Sequence, residues 1–444
     1  MRRAIVLGGS IAGLGAARVL SDHFDQVVII EPDDASLSSA VRRGVPQGRQ
    51  VHAVLSMGSD LLERWLPGLS DDLVADGAIP SYGDSIEHYV DGVHKFPDYS
   101  ERTIGLTRPL LEMHVRRRVL ADSKVSQTRG RAQSLVFTGE RVTGVRYVAE
   151  GAQDSETLTA DLVVDATGRG TQLDRWLSSS GWTAPPLERM DLQLGYATAL
   201  FKSGEELPEV DVVQAISTPQ GPHRDSFAAV RVEGGRWMVV VSAYAQDRPT
   251  RDREEFLQRC RTAPIPPIAE IASQCPMEGE VSTYTMADSR RRRFTALDRF
   301  PAGLVAVGDA VASFNPIYGQ GVTSAMLHAS CLSAYLRSEV PLDEPAWGYF
   351  RRVQVIVDAA WELSTLMDLA LPHVDGPYPR GYRFASWYSE KLNRATVSDP
   401  NLHRLFLQVA HMRKHPRVLS HPKTMLAVSR ALFIARQFTP AVTV

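Results

Sequence analysis

The sequence predicts an α/β protein in which a nucleotide-binding unit is split by a β-rich insertion and followed by a helical C-terminal region. Three observations carry this. Residues 4–31 read as strand, glycine turn, helix, strand. A second short apolar run, Leu304 to Val307, breaks at Gly308-Asp309, loops through Asn315-Pro316 and enters a helix near Gly321. Between the two, residues 190–290 carry strand residues, while the segments beyond 320 are helical in pattern.

At 444 residues the chain exceeds one ordinary core, so more than one domain is expected. Net charge is −2, which offers no field for nucleic acid. The three cysteines, Cys260, Cys275 and Cys331, are odd in number and widely spaced. They form no metal pattern, so no metal site is expected, and they argue for a reducing, cytoplasmic compartment. No apolar run is long enough to span a membrane. The run Ala4–Leu7 is cut by Gly8-Gly9-Ser10, too early for a signal peptide.

In chain order, Ala4–Leu7 is the first strand. Gly8-Gly9-Ser10-Ile11-Ala12-Gly13 follows the dinucleotide fingerprint G-x-G-x-x-G, with Ser10 at the second glycine. Leu14–Leu20 is a helix and Val27–Ile30 the second strand, ending in Glu31. Gly8 makes the turn and Gly13 lets helix and strand approach. The helix start faces a pyrophosphate, and Glu31 takes a ribose hydroxyl pair. The small Ser10 is tolerated, with its hydroxyl free to point at a phosphate. A Rossmann-like dinucleotide site follows from the whole pattern.

Residues 41–52 are too rich in Gly and Pro for a regular element. Arg42 and Arg43, with Gln47, are placed there near the cofactor phosphates, and His52 closes the segment. A helix spans Ala53 to Leu66, and another runs from Pro109 to about Leu120, with Arg108 just before it. Val142–Val148 and Leu158 onward read as a small hairpin. Asp161–Asp165 then ends an apolar run at Asp165-Ala-Thr-Gly168, which places Asp165 and Gly168 at the ligand edge of a parallel sheet. Strands at 192–201, 212–216, 227–232 and 237–244 predict an antiparallel sheet, one face packed and one roofing a cavity. Arg290–Arg293 reads as a solvated surface run. Helices follow at 320–338, 346–371, 381–396, 399–413 and 421–438.

This arrangement resembles the flavoprotein monooxygenases built on the glutathione-reductase-type FAD fold, over residues 4–340. The resemblance implies that residues 1–180 and 285–340 bind FAD, 181–284 form a substrate domain and 341–444 a helical region. Gly8–Gly13 would hold the pyrophosphate, Glu31 the adenosine ribose, Arg108 the pyrophosphate or ribityl region and Asp309 a ribityl hydroxyl. Gly319, Gly321 and Val322 would lie at the flavin's pyrimidine end. More narrowly, Arg43–Arg49 with His52, Asp165–Arg169, Asn315–Gly321 and Asp375-Gly-Pro-Tyr-Pro379 are similar to the actinobacterial polyketide epoxidases.

That similarity implies epoxidation of an apolar polyene, free or carrier-bound, in antibiotic biosynthesis through a flavin C4a-hydroperoxide. No nucleophile–base pair is needed for this, although His52 is a candidate proton relay. Tyr196, Trp237, Tyr244, Phe314 and Tyr318 are the expected pocket wall. Asp165-Ala-Thr-Gly168 stands where aromatic hydroxylases carry an Asp-Gly pair associated with NADPH. Electrons are therefore expected from a loosely held NAD(P)H or a separate flavin reductase. Flavin halogenases share the scaffold, but their W-x-W-x-I-P motif is absent. Two alternatives stand beside it: a [4+2] cyclase that uses the same cavity with FAD as a structural wall, and a flavin-binding protein without catalysis, which would not need so large a substrate domain.

Overall fold

Short apolar runs bounded by Gly or Asp fold into strands buried on both faces: Ile5, Val6, Val163, Val164 and Val305 are inaccessible to solvent. The computed structural model describes residues 1–34, 40–204, 208–339 and 341–438, with side chains to residue 433. A seven-stranded sheet runs Leu304–Ala306, Leu162–Asp165, Arg3–Leu7, Gln26–Glu31, Val125–Thr138, Arg141–Ala149, Glu156–Thr159. Its first five strands are parallel, and the last two turn back as a meander. The long strand Val125–Thr138 is not evident in the sequence, because polar and charged residues interrupt its alternation.

The second sheet has eight strands: Ala312–Ser313, Met277–Arg292, Leu187–Lys202, Arg236–Tyr244, Ser226–Val232, Val212–Ile216, Ile86–Val90 and Val93–His94. Strand parity gives it two faces. Trp237, Val239, Val241 and Ala243 are fully buried, and the first three pack with Phe256, Ile268 and Ile271 of the helices Arg253–Arg261 and Pro266–Gln274. The opposite face, with Val240 and Ser242, lines a cavity.

The Arg290–Arg293 run is not a solvated surface stretch. It ends the strand Met277–Arg292, and each guanidinium has an acidic partner. Arg290 meets Asp288 at 2.6 Å, Arg291 meets Glu188 and Asp358, Arg292 meets Asp174 and Arg293 meets Glu188. Arg291 also lies 4.7 Å from the Trp361 ring, and Arg292 donates to the Ala310 carbonyl. Asp288 on the same strand and the distant Asp174, Glu188 and Asp358 neutralise the run. It joins the eight-stranded sheet to the strand–turn at 304–310 and to the helix Trp347–Asp368.

Candidate active site

Three turns meet at the carboxyl ends of the parallel strands. The first is Gly8–Gly13. Gly8 has φ +100°, and a Cβ there would stand 2.6 Å from the Ala166 carbonyl oxygen; one at Gly13 would stand 1.9 Å from the Gly8 carbonyl oxygen. Both positions require glycine. Ser10 caps the helix Ile11–Ser21, so the amides of Ile11, Ala12 and Gly13 begin it without carbonyl partners inside it. The Gly9 amide donates to Glu31 Oε2 at 2.6 Å and the Asp33 amide to Oε1 at 2.9 Å.

Sequence reasoning named Arg42 and Arg108 but missed Glu112 and Arg116, which join them behind this turn. Glu112, on the helix Arg108–Leu120, meets Arg42, Arg108 at 3.4 Å and Arg116 at 2.8 Å. Burial alone would raise its carboxyl; Arg108, Arg42 and Arg116 outweigh that and hold it below the ordinary range. Ser10 Oγ donates to Glu112 at 2.9 Å and accepts from Arg108 at 3.1 Å, so the Ser10 hydroxyl is tied to the protein rather than free for a phosphate. Arg116 donates to the Gly9 carbonyl at 2.6 Å. The spacing Arg108, Glu112, Arg116 puts all three on one helix face and was a readable signal. Arg42 bridges Glu31 and Glu112, whereas Arg43 is exposed on a groove shared with Arg49 and Arg251. Gln47 sits in the short helical turn Pro46–Arg49, half-buried.

The second turn corrects one expectation. Asp165 is fully buried, and its carboxylate accepts from the Thr167 amide at 3.0 Å and from the Thr167 and Thr171 hydroxyls. It shapes the turn from inside. Gly168, at φ +73°, faces outward beside the third turn: a Cβ on it would lie 4.0 Å from the Asp309 Cβ. Gly308 packs on Ala12, and its amide donates to Nδ1 of buried His328 at 3.0 Å. Burial lowers His328 to about 3, keeping it neutral as an acceptor. Asp309 has no hydrogen-bond donor among the described residues; burial raises its carboxyl, partly offset by Arg169 and Arg108. Gly319, at φ +66°, then opens the helix Gln320–Leu336, and a Cβ on exposed Gly321 would meet nothing within 4 Å. Val322, the next residue, is buried.

Next to these turns lies a cavity with about 1320 Å³ of atom-free space, part of it continuous with solvent. The eight-stranded sheet supplies Tyr196, Ala215, Phe227 and Val240, and the loops supply His52, Leu55, Ile317 and Gly319. His52 Nδ1 lies 2.9 Å from the Gln50 carbonyl, which can only accept, so Nδ1 carries the proton and Nε2 is an acceptor. Burial, then the Arg108 charge, lowers His52 to about 4. Gln50 itself is held by Thr198 and the Ser282 carbonyl.

Of the five expected wall residues, Tyr196 lines this cavity. Trp237 does not: it pairs with Phe201 on the helix-covered face, the opposite parity to Tyr244. Phe314 is buried in the main core. Tyr244 and Tyr318 join a network instead. Asn315 Nδ2 donates to Tyr244 Oη at 2.9 Å and to Asp368 Oδ1 at 2.8 Å, and Tyr318 Oη donates to Asp368 at 3.1 Å. Burial raises Asp368 to about 7 against those two donors. This network binds the 315–319 loop to the helix Trp347–Asp368 and to the eight-stranded sheet.

The three turns fit FAD. They present glycines where a side chain would collide, a helix start aimed at a phosphate position, a carboxylate without a donor at Asp309 and open backbone at Gly321. Glu31 keeps lone-pair capacity beyond its two amide donors.

No known family profile matches the chain. It is 32% identical over 425 residues to protein Rv3254 of Mycobacterium tuberculosis, covering 91% of this chain and 88% of that one. It is 26% identical over 353 residues to kynurenine 3-monooxygenase of Salinispora arenicola, covering 75% and 73%. The structure of the flavin-dependent brominase Bmp2 superposes with a TM-score of 0.69 over 98% of this chain and 99% of that one, at 15% identity. The Diels-Alderase PyrE3 of pyrroindomycin biosynthesis does so with 0.61 over 93% and 80%, also at 15%. Among the described residues no helix is long and apolar enough to cross a membrane. The chain therefore belongs to the family of Mycobacterium tuberculosis protein Rv3254, on a fold shared by flavin-dependent enzymes.

Proposed function

We propose that the protein is an FAD-dependent monooxygenase that epoxidises an alkene of an elongated, apolar, polyketide-like substrate. The observation that carries this is the junction of an apolar cavity with the loop Pro316–Gly319, at the point where Asp309, Gly168 and the helix start at Gln320 converge. FAD, when reduced, supplies the activation of O₂: one oxygen atom goes to the alkene, and the other leaves as water with two electrons from NAD(P)H, directly or through a reductase.

The chain's own residues bind, orient and exclude water. The Gly8–Gly13 turn and the helix start hold the pyrophosphate, Glu31 the adenosine ribose, and Asp309 the ribityl chain. Arg108, already paired with Glu112, offers its remaining donors to the same region. The amides at Gln320–Val322 favour negative charge on the cofactor ring. His52 is locked as an Nδ1–H tautomer, so at the cavity wall its Nε2 can accept a proton or a hydrogen bond. Residues 1–180 with 285–340 form the cofactor unit in this reading. Residues 181–284 roof the cavity, and 341–444 brace the loop through Asp368.

The likeness to kynurenine 3-monooxygenase supports oxygen transfer, and the likeness to PyrE3 is compatible with a redox-silent [4+2] cyclase in the same cavity. Anaerobic reduction of the FAD-loaded protein by NADPH or NADH, followed by air and a polyene, separates them. Oxygen consumption with a product heavier by one oxygen supports the monooxygenase. A product of unchanged mass, formed without reductant, supports the cyclase and sinks the primary reading.

A further inference from the structure

One wall of the cavity is polar and plays no part in holding FAD. His88, Asp98, Glu101 and His411 line it, drawn from the segment 88–102 and from the end of the tail helix Pro400–Ala410. Asp98 is 7% exposed and Glu101 5%. Groups of this kind are costly to bury unless paired or used.

The charged members are already matched. Glu101 accepts from Arg413 at 2.8 Å, and Asp98 faces Arg404 at 3.8 Å. Behind the wall, buried Lys95 donates to Thr396 and lies 5.5 Å from the Phe406 ring. Arg102 also lines the cavity, but it is exposed, with its guanidinium 5.9 Å from the Tyr82 ring. What remains for a ligand is neutral: the imidazoles of His88 and His411, with the Gln214 side chain hydrogen-bonded to His88.

His411 is the best defined. The Ser56 amide donates to its Nδ1 at 3.2 Å. An amide cannot accept, so Nδ1 is a lone pair and the proton sits on Nε2. Nε2–H has no acceptor among the described hydrogen bonds. His88 stands close by, edge-on to His403 with ring centroids 6.0 Å apart. Burial lowers His88 and His411 to about 4, so both are neutral near pH 7. Neighbouring acidic residues are not arranged with them as a metal site among the described residues.

We infer that this wall is a polar subsite that takes an uncharged hydroxyl of the substrate, with His411 Nε2–H as donor and His88 as its partner. A carboxylate is disfavoured by Asp98 and Glu101, which line the same wall. The inference deepens the proposed function, since it rests on this cavity being the substrate site. It narrows the substrate class to an apolar chain bearing a hydroxyl.

The test is calorimetric titration of the FAD-loaded protein with 1-decanol and with decanoate as probes, below their solubility limits. The wild type is expected to bind 1-decanol roughly tenfold more tightly than decanoate. His411→Asn keeps an acceptor near Ser56 but loses the Nε2 donor, and should weaken 1-decanol binding roughly three- to tenfold, the range of one neutral hydrogen bond. His411→Gln, which restores a donor at that position, should recover it. If His411→Asn does not fold, His88→Leu should show the same loss. Equal or tighter decanoate binding, or 1-decanol affinity unmoved by both His411→Asn and His88→Leu, overturns the subsite. Flavin content is read in the same samples: a protein without FAD would sink the flavin reading, while the decanol–decanoate preference still decides this one.

Discussion

The backbone amide of Gly9 donates to Oε2 of Glu31 at 2.6 Å, tying the glycine turn to the end of the second strand. A single carboxylate thus shapes the turn and, in the proposed complex, holds the adenosine ribose. Glu31→Ala should therefore lose more than a ligand contact. FAD affinity is expected to fall at least about tenfold, since a hydrogen bond to a charged group contributes roughly 1.5–3 kcal/mol. Flavin retained after gel filtration, by absorbance, checks this. Unchanged retention would make Glu31 a purely internal brace.

Asp309 has the opposite environment, a carboxylate with no donor among the described residues. Asp309→Ala should leave the melting temperature of the cofactor-free protein nearly unchanged and yet lower its flavin content. If flavin content and turnover both stay at wild-type level, Asp309 does not touch the cofactor.

Trp237 is fully buried against the helices behind the substrate sheet. Trp237→Ala should destabilise the fold by about 3–5 kcal/mol, as large-to-small core changes do. Substrate affinity per folded molecule should stay constant. Denaturant unfolding measures the first, and a specific loss of affinity without loss of stability would return Trp237 to the cavity wall.

Asp368 is raised from an ordinary value of 3.8 to about 7 by burial. The folded protein therefore holds this proton more tightly than the unfolded chain. The contribution of Asp368 to stability is most favourable below about 4 and declines as pH rises through about 7. Asp368→Asn cannot ionise, so its stability relative to wild type should improve across that window. Melting curves from pH 4 to 8 decide it; parallel profiles for the two proteins would mean that Asp368 titrates as an ordinary carboxylate.

Reduction by NAD(P)H should be slow and weakly specific, because Asp165-Ala-Thr-Gly168 lacks the pair associated with NADPH in related hydroxylases. Stopped-flow flavin bleaching measures this. Fast, saturable reduction by NADPH alone would mean that the protein takes electrons from NADPH directly and needs no separate reductase.

Local signals carried most of the three turns proposed to hold FAD. Gly8, Gly13, Glu31, Gly308 and Asp309 each lie within a few residues of the strand end that positions them, so spacing alone locates them. Asp165 shows the limit: its place at the strand end was legible, but not that Thr167 and Thr171 would surround its carboxylate. His328, Asp368 and Gln50 were missed because their partners come from distant segments, and no local pattern announces such a meeting. Trp237 was a parity error. Counting by two from Tyr244 puts Trp237 on the other face, which the sequence alone allows.

The bond between Ser56 and His411 joins residues 355 apart in the chain. A ribosome adding about 5–20 residues per second needs roughly 20–70 s to make that stretch. Through the last part of that interval the strands that will roof the cavity, complete by Tyr244, exist without the helix that walls it. The cavity therefore stays open to water until the segment that carries His411 is made.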